Sequence, residues 1–145
     1  MGATLPSAGK ILIVEDEFLV ALQLEDILAD GGHEVVGIVP DAQSLGSLVQ
    51  VPDVALVDLN LRDGLTGPAI ARDLSERYGS RIIYVTANPG QIDEPAATAL
   101  GIVQKPFTRQ TILSAIAYAL CNGASGERPA ELEAVRHQVA TRVDD

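Results

Sequence analysis

The stretch Val54-Ala55-Leu56-Val57-Asp58 constrains the fold more than any other in the chain. Four apolar residues in a row, with no polar alternation, read as a strand buried on both faces, as in parallel sheets covered by helices. The run then ends in an acid. Lys10-Ile11-Leu12-Ile13-Val14 repeats the pattern and runs into Glu15-Asp16-Glu17. Open α/β sheets carry their chemistry at the C-terminal ends of parallel strands, so both acidic ends fall on the rim where a site belongs.

The remaining segments extend this reading. Glu34 to Val39, Arg81 to Thr86 and a short run from Gly101 to Gln104 are strand-like. Residues 17–30 read as a helix stopping at Gly31-Gly32, with Val20, Leu24, Ile27 and Leu28 on its core face. Asp41 is placed to cap a helix through about Val49, and Pro68 suits the first turn of one running to Tyr78. Residues 91–100 predict only a short or displaced helix, because Pro95 interrupts them. Thr108 caps a last helix with Ile112, Leu113, Ile116, Ala117 and Leu120 on its apolar side. Strand and helix therefore alternate five times, which predicts a doubly wound five-stranded parallel sheet with helices on both faces. The domain is expected over residues 10–121, after a flexible lead-in at 1–9. Residues 122–145 are expected to be a linker followed by a short helix or a disordered tail, with Leu132, Val135, Val139 and Val143 at roughly helical spacing.

Composition narrows the function. Ten basic against twenty acidic residues leave a formal charge of −10, which argues against nucleic acid or an anionic membrane as a partner. Cys121 is the single cysteine, so no internal disulfide or cysteine-built zinc site is expected. No apolar segment approaches a membrane span, and a cytoplasmic protein is expected. The chain contains no Walker lysine loop and no G-x-G-x-x-G stretch. His33 and His137 fall away from the rim.

In such a fold Glu15, Asp16, Asp58, Thr86 and Lys105 converge at the strand ends. Two carboxylates at contact distance repel by about 4 kcal/mol at an effective dielectric near 20. A divalent cation removes that cost, and hard oxygen ligands in a small site favour magnesium. Magnesium prefers to combine one or two carboxylates with phosphate oxygens, which points to phosphoryl chemistry at Asp58. Lys105 would neutralise charge, Thr86 would donate to a phosphoryl oxygen, and Ala87 leaves room for the group to enter.

Ile11-Leu12-Ile13-Val14-Glu15-Asp16-Glu17, Leu56-Val57-Asp58-Leu59-Asn60-Leu61, Val85-Thr86-Ala87 and Lys105-Pro106-Phe107 together resemble the response-regulator receiver domain of two-component signalling, over about residues 9–121. The resemblance implies strand order 2-1-3-4-5, the flavodoxin-like arrangement. It implies that Asp58 is a phosphoacceptor, loaded from a histidine kinase or a histidine phosphotransfer protein. It also implies magnesium held by Asp16, Asp58 and the backbone carbonyl of Asn60, with Glu15 acting largely through water. Thr86 and Lys105 would contact the phosphoryl group, the Lys105-Pro106 bond would be cis, and Asn60 and Asn88 would tune acyl phosphate hydrolysis. Kinase docking would fall partly on the first helix, where Phe18 and Leu22 lie one turn apart, with Pro106 and Phe107 as further docking candidates.

Three features depart from the family pattern. Arg62 stands where proline is usual, and Gly67 comes one residue late, which predicts a longer loop after Asp58. Ile102 occupies the usual position of a switch aromatic. Asn88-Pro89-Gly90 and Pro95 predict an unusual fourth helix, in a segment that belongs to the family's usual output surface. The length leaves no room for an appended output domain, so the expected function is a stand-alone receiver, monomeric or a weak homodimer. It would act by protein–protein contact, as a phosphorelay intermediate or as a phosphate sink, and be no enzyme beyond its own phosphorylation and dephosphorylation. One alternative is a receiver-fold binding module that works without phosphorylation. Another is a haloacid-dehalogenase-like phosphatase, disfavoured because Asn60 stands where such enzymes need a second acid.

Overall fold

A computed structural model describes residues 8–121 and 128–135. Strands β1 (Lys10–Val14), β2 (Glu34–Val39), β3 (Val54–Val57), β4 (Arg81–Thr86) and β5 (Ala99–Gln104) form one parallel sheet in the order β2-β1-β3-β4-β5. Helices α1 (Phe18–Asp30), α2 (Gly67–Tyr78) and α3 (Arg109–Leu120) cover its two faces.

Side chains alternate along a strand, so each apolar run supplies two cores at once. Ile11, Ile13, Val54, Leu56, Ile83 and Val85 pack with Leu24 and Leu28 of α1 and Ile112 and Ile116 of α3. Leu12, Val14, Ala55, Val57, Ile82 and Tyr84 pack on the other face with Ile70 and Leu74 of α2. No residue of β3 is more than 1% exposed, and burying each of its Val and Leu side chains contributes about 1.5–3 kcal/mol. The buried stripe of α1 is Ala21, Leu24, Ile27 and Leu28; Val20 is only partly covered. Thr108 caps α3 as expected, its side chain accepting the Thr111 amide at 3.1 Å. Gly9 is already buried against Leu120 and belongs to the fold rather than to a lead-in.

Of the four connections between strands, the one after β2 differs from the expected helix and the one after β4 carries only a short, displaced turn, as Pro95 predicts. After β2 there is only a 3-10 turn, Gln43–Ser47. Asp41, just ahead of the turn, accepts the Ser44 amide on Oδ1 at 2.8 Å. Gly46 weakens helix formation, and the Ser47 hydroxyl bonds back to the Ser44 carbonyl at 2.8 Å, competing with helical pairing. After β4 there is a 3-10 turn, Pro89–Gln91, and then an irregular run into β5, which starts at Ala99 rather than Gly101. Backbone groups that a helix would pair internally find side chains instead. The Tyr84 hydroxyl accepts the Ala96 amide at 2.9 Å, and Ser75 Oγ accepts the Thr98 amide at 3.2 Å. Arg72 donates to the Glu94 carbonyl at 3.1 Å.

The tail also differs over the residues described. The Leu132 amide donates to the Pro129 carbonyl at 3.0 Å, and Glu133 forms an antiparallel bridge with Ile102. Residues 128–135 contain no helix, because the outer edge of β5 offers unpaired backbone groups and Gly101 leaves space for Leu132. His137, Val139 and Val143 lie outside the described residues.

The loop after Asp58 accommodates its extra residue in a tight turn. Leu61 and Gly64 exchange two backbone hydrogen bonds, at 2.8 and 2.9 Å, with Gly64 at φ 110°. Arg62 Nε reaches Asp41 Oδ2 at 2.6 Å, and Asp63 Oδ2 accepts the Ala42 amide at 3.0 Å, tying this loop to the one after β2. The chain then meets α2 at Gly67, where a Cβ would stand 1.9 Å from the Asp58 carbonyl oxygen. Hydrogen bonds from Ser44, and then Arg62, hold the Asp41 carboxyl down from an ordinary 3.8 to about 2. A carboxyl depressed on folding contributes stability that is complete above its unfolded value and disappears as pH falls through its folded value. Denaturant titrations of wild type and Asp41→Asn should therefore show a stability gap that is full above about pH 4 and closes toward pH 2. A gap that does not change across that window would show that the carboxylate charge is not what joins the two loops.

Candidate functional site

Glu15 and Asp16 follow β1, Asp58 follows β3, Thr86 ends β4 and Lys105 follows β5, so the parallel sheet delivers all five to one rim. One carboxylate oxygen each from Glu15, Asp16 and Asp58 lie within 4.8 Å of one another. Lys105 Nζ donates to Glu15 Oε1 at 2.8 Å and to Asp58 Oδ2 at 2.9 Å. The other oxygens are also engaged: Glu15 Oε2 accepts the Glu17 amide at 3.0 Å, and Asp58 Oδ1 accepts the Leu59 amide at 2.7 Å.

Glu15 is 2% exposed and Asp58 8%. Burial pushes the Glu15 carboxyl above its ordinary value, although Lys105 and the Glu17 amide pull the other way. Burial also works to lower the Lys105 ammonium, but its hydrogen bonds to Glu15 and Asp58 overcome that and raise it. Lys105 is therefore a fixed positive charge at neutral pH, placed between two carboxylates.

A cleft of about 500 Å³ opens over this cluster, with Asp16, Asp58, Asn60, Ala87, Asn88 and Lys105 in its lining. Glu17 and Leu61 line it too, although the sequence did not single them out for the site. Asp16 and Asp58 present carboxylates to the cleft, while Glu15 lies behind them under Lys105. An all-oxygen, strongly anionic donor set of this kind fits a hard divalent cation.

Thr86 is fully buried and is absent from the lining; its hydroxyl accepts the Asn88 amide at 3.0 Å. The Lys105 amide donates to the Thr86 carbonyl at 2.9 Å, joining the ends of β4 and β5, and the Lys105–Pro106 peptide is cis. Asn60 Nδ2 donates to Gln91 Oε1 at 2.7 Å, linking the loops after β3 and β4. Gln91 has no signal in the sequence, because its partner Asn60 lies 31 residues away on another loop.

Ile102 is not brought to the cleft. It is 7% exposed, pairs with Tyr84 of β4 and packs in the core on the α2 face. On α1, Phe18 is 71% and Leu22 40% exposed, so they do not widen the buried stripe. Leu19, at 78% exposed, lies three residues before Leu22 and so joins them on the same side of the helix. Pro106 is exposed, whereas Phe107 packs against the core shared by α1 and α3.

The chain matches the response regulator receiver domain family over residues 11–117. It is 33% identical over 129 residues to the phyllosphere-induced regulator PhyR of Methylorubrum extorquens, an alignment covering 83% of this chain and 47% of that protein. The transcriptional regulatory protein PdtaR of Mycobacterium tuberculosis is 29% identical over 138 residues, covering 91% of this chain and 63% of that one. The solution structure of the receiver domain of PhyR from Erythrobacter litoralis is similar with a TM-score of 0.69 at 29% identity, covering 83% of this chain and 96% of that domain. The chain thus spans less than two thirds of the length of these curated relatives. No helix among the described residues is long and apolar enough to cross a membrane. With the strand order, the acidic rim and these matches in agreement, the chain belongs to the response regulator receiver domains of two-component signalling.

Proposed function

We propose that this receiver accepts a phosphoryl group on Asp58 and signals by protein–protein contact. The observation that carries the reading is the pairing of Asp58 with Lys105, beside Glu15 and Asp16, at the edge of an open cleft. An Asp58 carboxylate oxygen attacks the phosphorus of a phosphohistidine in a histidine kinase or phosphotransfer protein. The phosphorus–nitrogen bond breaks, the imidazole leaves and takes up a proton, and a mixed anhydride forms on Asp58. Magnesium, held by Asp16, Asp58 and the Asn60 carbonyl, would supply charge neutralisation for the incoming phosphoryl oxygens. Lys105 adds a fixed ammonium for the same charge, and Thr86 stands behind Ala87 with a hydroxyl that can turn from the Asn88 amide to a phosphoryl oxygen. The exposed patch of Phe18, Leu19 and Leu22 lies on the helix that follows the Glu15–Glu17 loop and suits docking of the phosphodonor. Adaptor, relay and phosphate-sink roles all use this chemistry.

Intact-mass analysis after incubation with acetyl phosphate and magnesium should show one phosphoryl adduct on the wild type and none on Asp58→Asn. An equal adduct on both proteins, or none on the wild type with either acetyl phosphate or a kinase donor, would defeat the assignment. The Asn60–Gln91 hydrogen bond should also set the lifetime of the adduct, because it holds the two loops that flank Asp58. Gln91→Ala loses one side-chain hydrogen bond, worth about 1 kcal/mol, and should speed hydrolysis by about fivefold. An unchanged lifetime, followed by loss of the adduct's mass over time, would remove Gln91 from the site.

A further inference from the structure

The outer edge of β5 carries a feature that phosphoryl chemistry at Asp58 does not account for. The Ile102 amide donates to the Glu133 carbonyl at 2.8 Å, and the Glu133 amide donates to the Ile102 carbonyl at 2.8 Å. This is an isolated antiparallel bridge on a sheet whose five strands are all parallel. Flanking it, Leu132 is 1% exposed and enters the core on the α1 and α3 face. Val135 packs against the core on the opposite face, the one that contains Ile102. The short segment therefore clasps the edge strand from both sides.

Gly101 makes the clasp possible. A Cβ at that position would lie 2.5 Å from Leu132 Cγ, 2.6 Å from Leu132 Cδ1 and 2.9 Å from the Glu133 carbonyl oxygen. The glycine is thus a socket for one leucine beside one pair of backbone hydrogen bonds. An exposed strand edge with an adjacent apolar socket is the surface on which extended segments bind by strand addition. Here the chain's own residues occupy it. The contact is small, two hydrogen bonds and one fully buried side chain, and the intervening sequence Gly123-Ala124-Ser125-Gly126 has linker composition.

The clasped residue is also close in sequence to the site. Three residues after Ile102, Lys105 holds Glu15 and Asp58 through its ammonium and the Thr86 carbonyl through its amide. Lys105 directly follows β5, so the two ends of this link share one continuous strand. We propose that residues 128–135 are a displaceable strap that masks the β5 edge while Asp58 is unmodified. When a phosphoryl group on Asp58 draws Lys105 to itself, the strap is released and the edge takes an extended, leucine-bearing segment of a partner protein into the Gly101 socket. The proposal rests on Asp58 being the phosphoacceptor.

Amide hydrogen exchange on the full chain, read residue by residue by NMR, tests it, with beryllofluoride and magnesium as a phosphoryl mimic. Fluorine NMR of the bound beryllofluoride reports separately whether the site is loaded. Loading should accelerate exchange at Ile102 and Glu133 by about tenfold or more, while Leu12 and Leu56 in the central strands keep their protection. Leu132→Ala should produce the same acceleration with no beryllofluoride present, and Gly101→Ala, which fills the socket, should do so independently. A loaded site with unchanged exchange at Ile102 and Glu133 would overturn the strap and leave a permanent edge cover. Unchanged exchange in both variants would overturn the socket. Absence of a bound fluorine signal would instead defeat the reading of Asp58, and with it the coupling, while the two variants still decide whether the socket holds the edge.

Discussion

The ammonium of Lys105, between the carboxylates of Glu15 and Asp58, is the interaction on which the acidic rim depends. Three carboxylates with oxygens within 4.8 Å of one another face a single fixed cation. At an effective dielectric near 20, each unscreened carboxylate pair at about 4 Å costs about 4 kcal/mol, comparable with a large part of a small domain's stability. Lys105 offsets part of that cost from inside the cluster and leaves the outer carboxylates of Asp16 and Asp58 facing the cleft. The site therefore retains negative charge on its open side, where a divalent cation fits, and positive charge at its base.

Holding this balance requires the ends of three strands to stay in register. The Asp58 amide donates to the Val14 carbonyl at 2.9 Å, and the Lys105 amide to the Thr86 carbonyl at 2.9 Å, so backbone pairing continues to the residues of the rim. Below them, β3 is walled on both faces by buried apolar side chains. A slip of one residue would exchange those faces and remove Asp58 from Lys105, which is why the core and the site stand or fall together.

Around this rigid base the loops are joined to one another by side chains rather than by helices. Arg62 and Asp63 tie the loop after β3 to the one after β2. Asn60 and Gln91 tie it to the one after β4, and Tyr84 fixes that connection from below through Ala96. Where receiver-like sequences usually have proline, Arg62 thus adds a charged link. Ile102, at the usual place of an aromatic, gives its backbone to the C-terminal segment while its side chain stays in the core. These links join the loops after β2, β3 and β4 around the Asp58 end of the sheet.

The strands and the rim residues were legible because each rests on local chemistry, whereas the strand order came from the family resemblance. Continuous apolar runs bounded by turn residues read as buried strands, and an acid or lysine just past such a run falls at the C-terminal edge of a parallel sheet. Residues 41–49 form a 3-10 turn in place of the expected helix, through Gly46 and the serine hydroxyls, whereas Pro95 already limits the segment after β4 to a short, displaced turn, whose backbone partners only the folded chain supplies. Ser75, Arg72 and Tyr84 supply those partners from other elements. The pairing of Asn60 with Gln91, of Arg62 with Asp41, and of Glu133 with Ile102 joins residues 21 to 31 positions apart. By itself the sequence determined the hydrophobic alternation and the identity of the charges at the strand ends, since these follow from each segment's own composition. Only the tertiary structure decided which loops those charges meet and what covers the edge of β5, because backbone groups left unpaired by one segment take whatever partner the folded chain brings within reach.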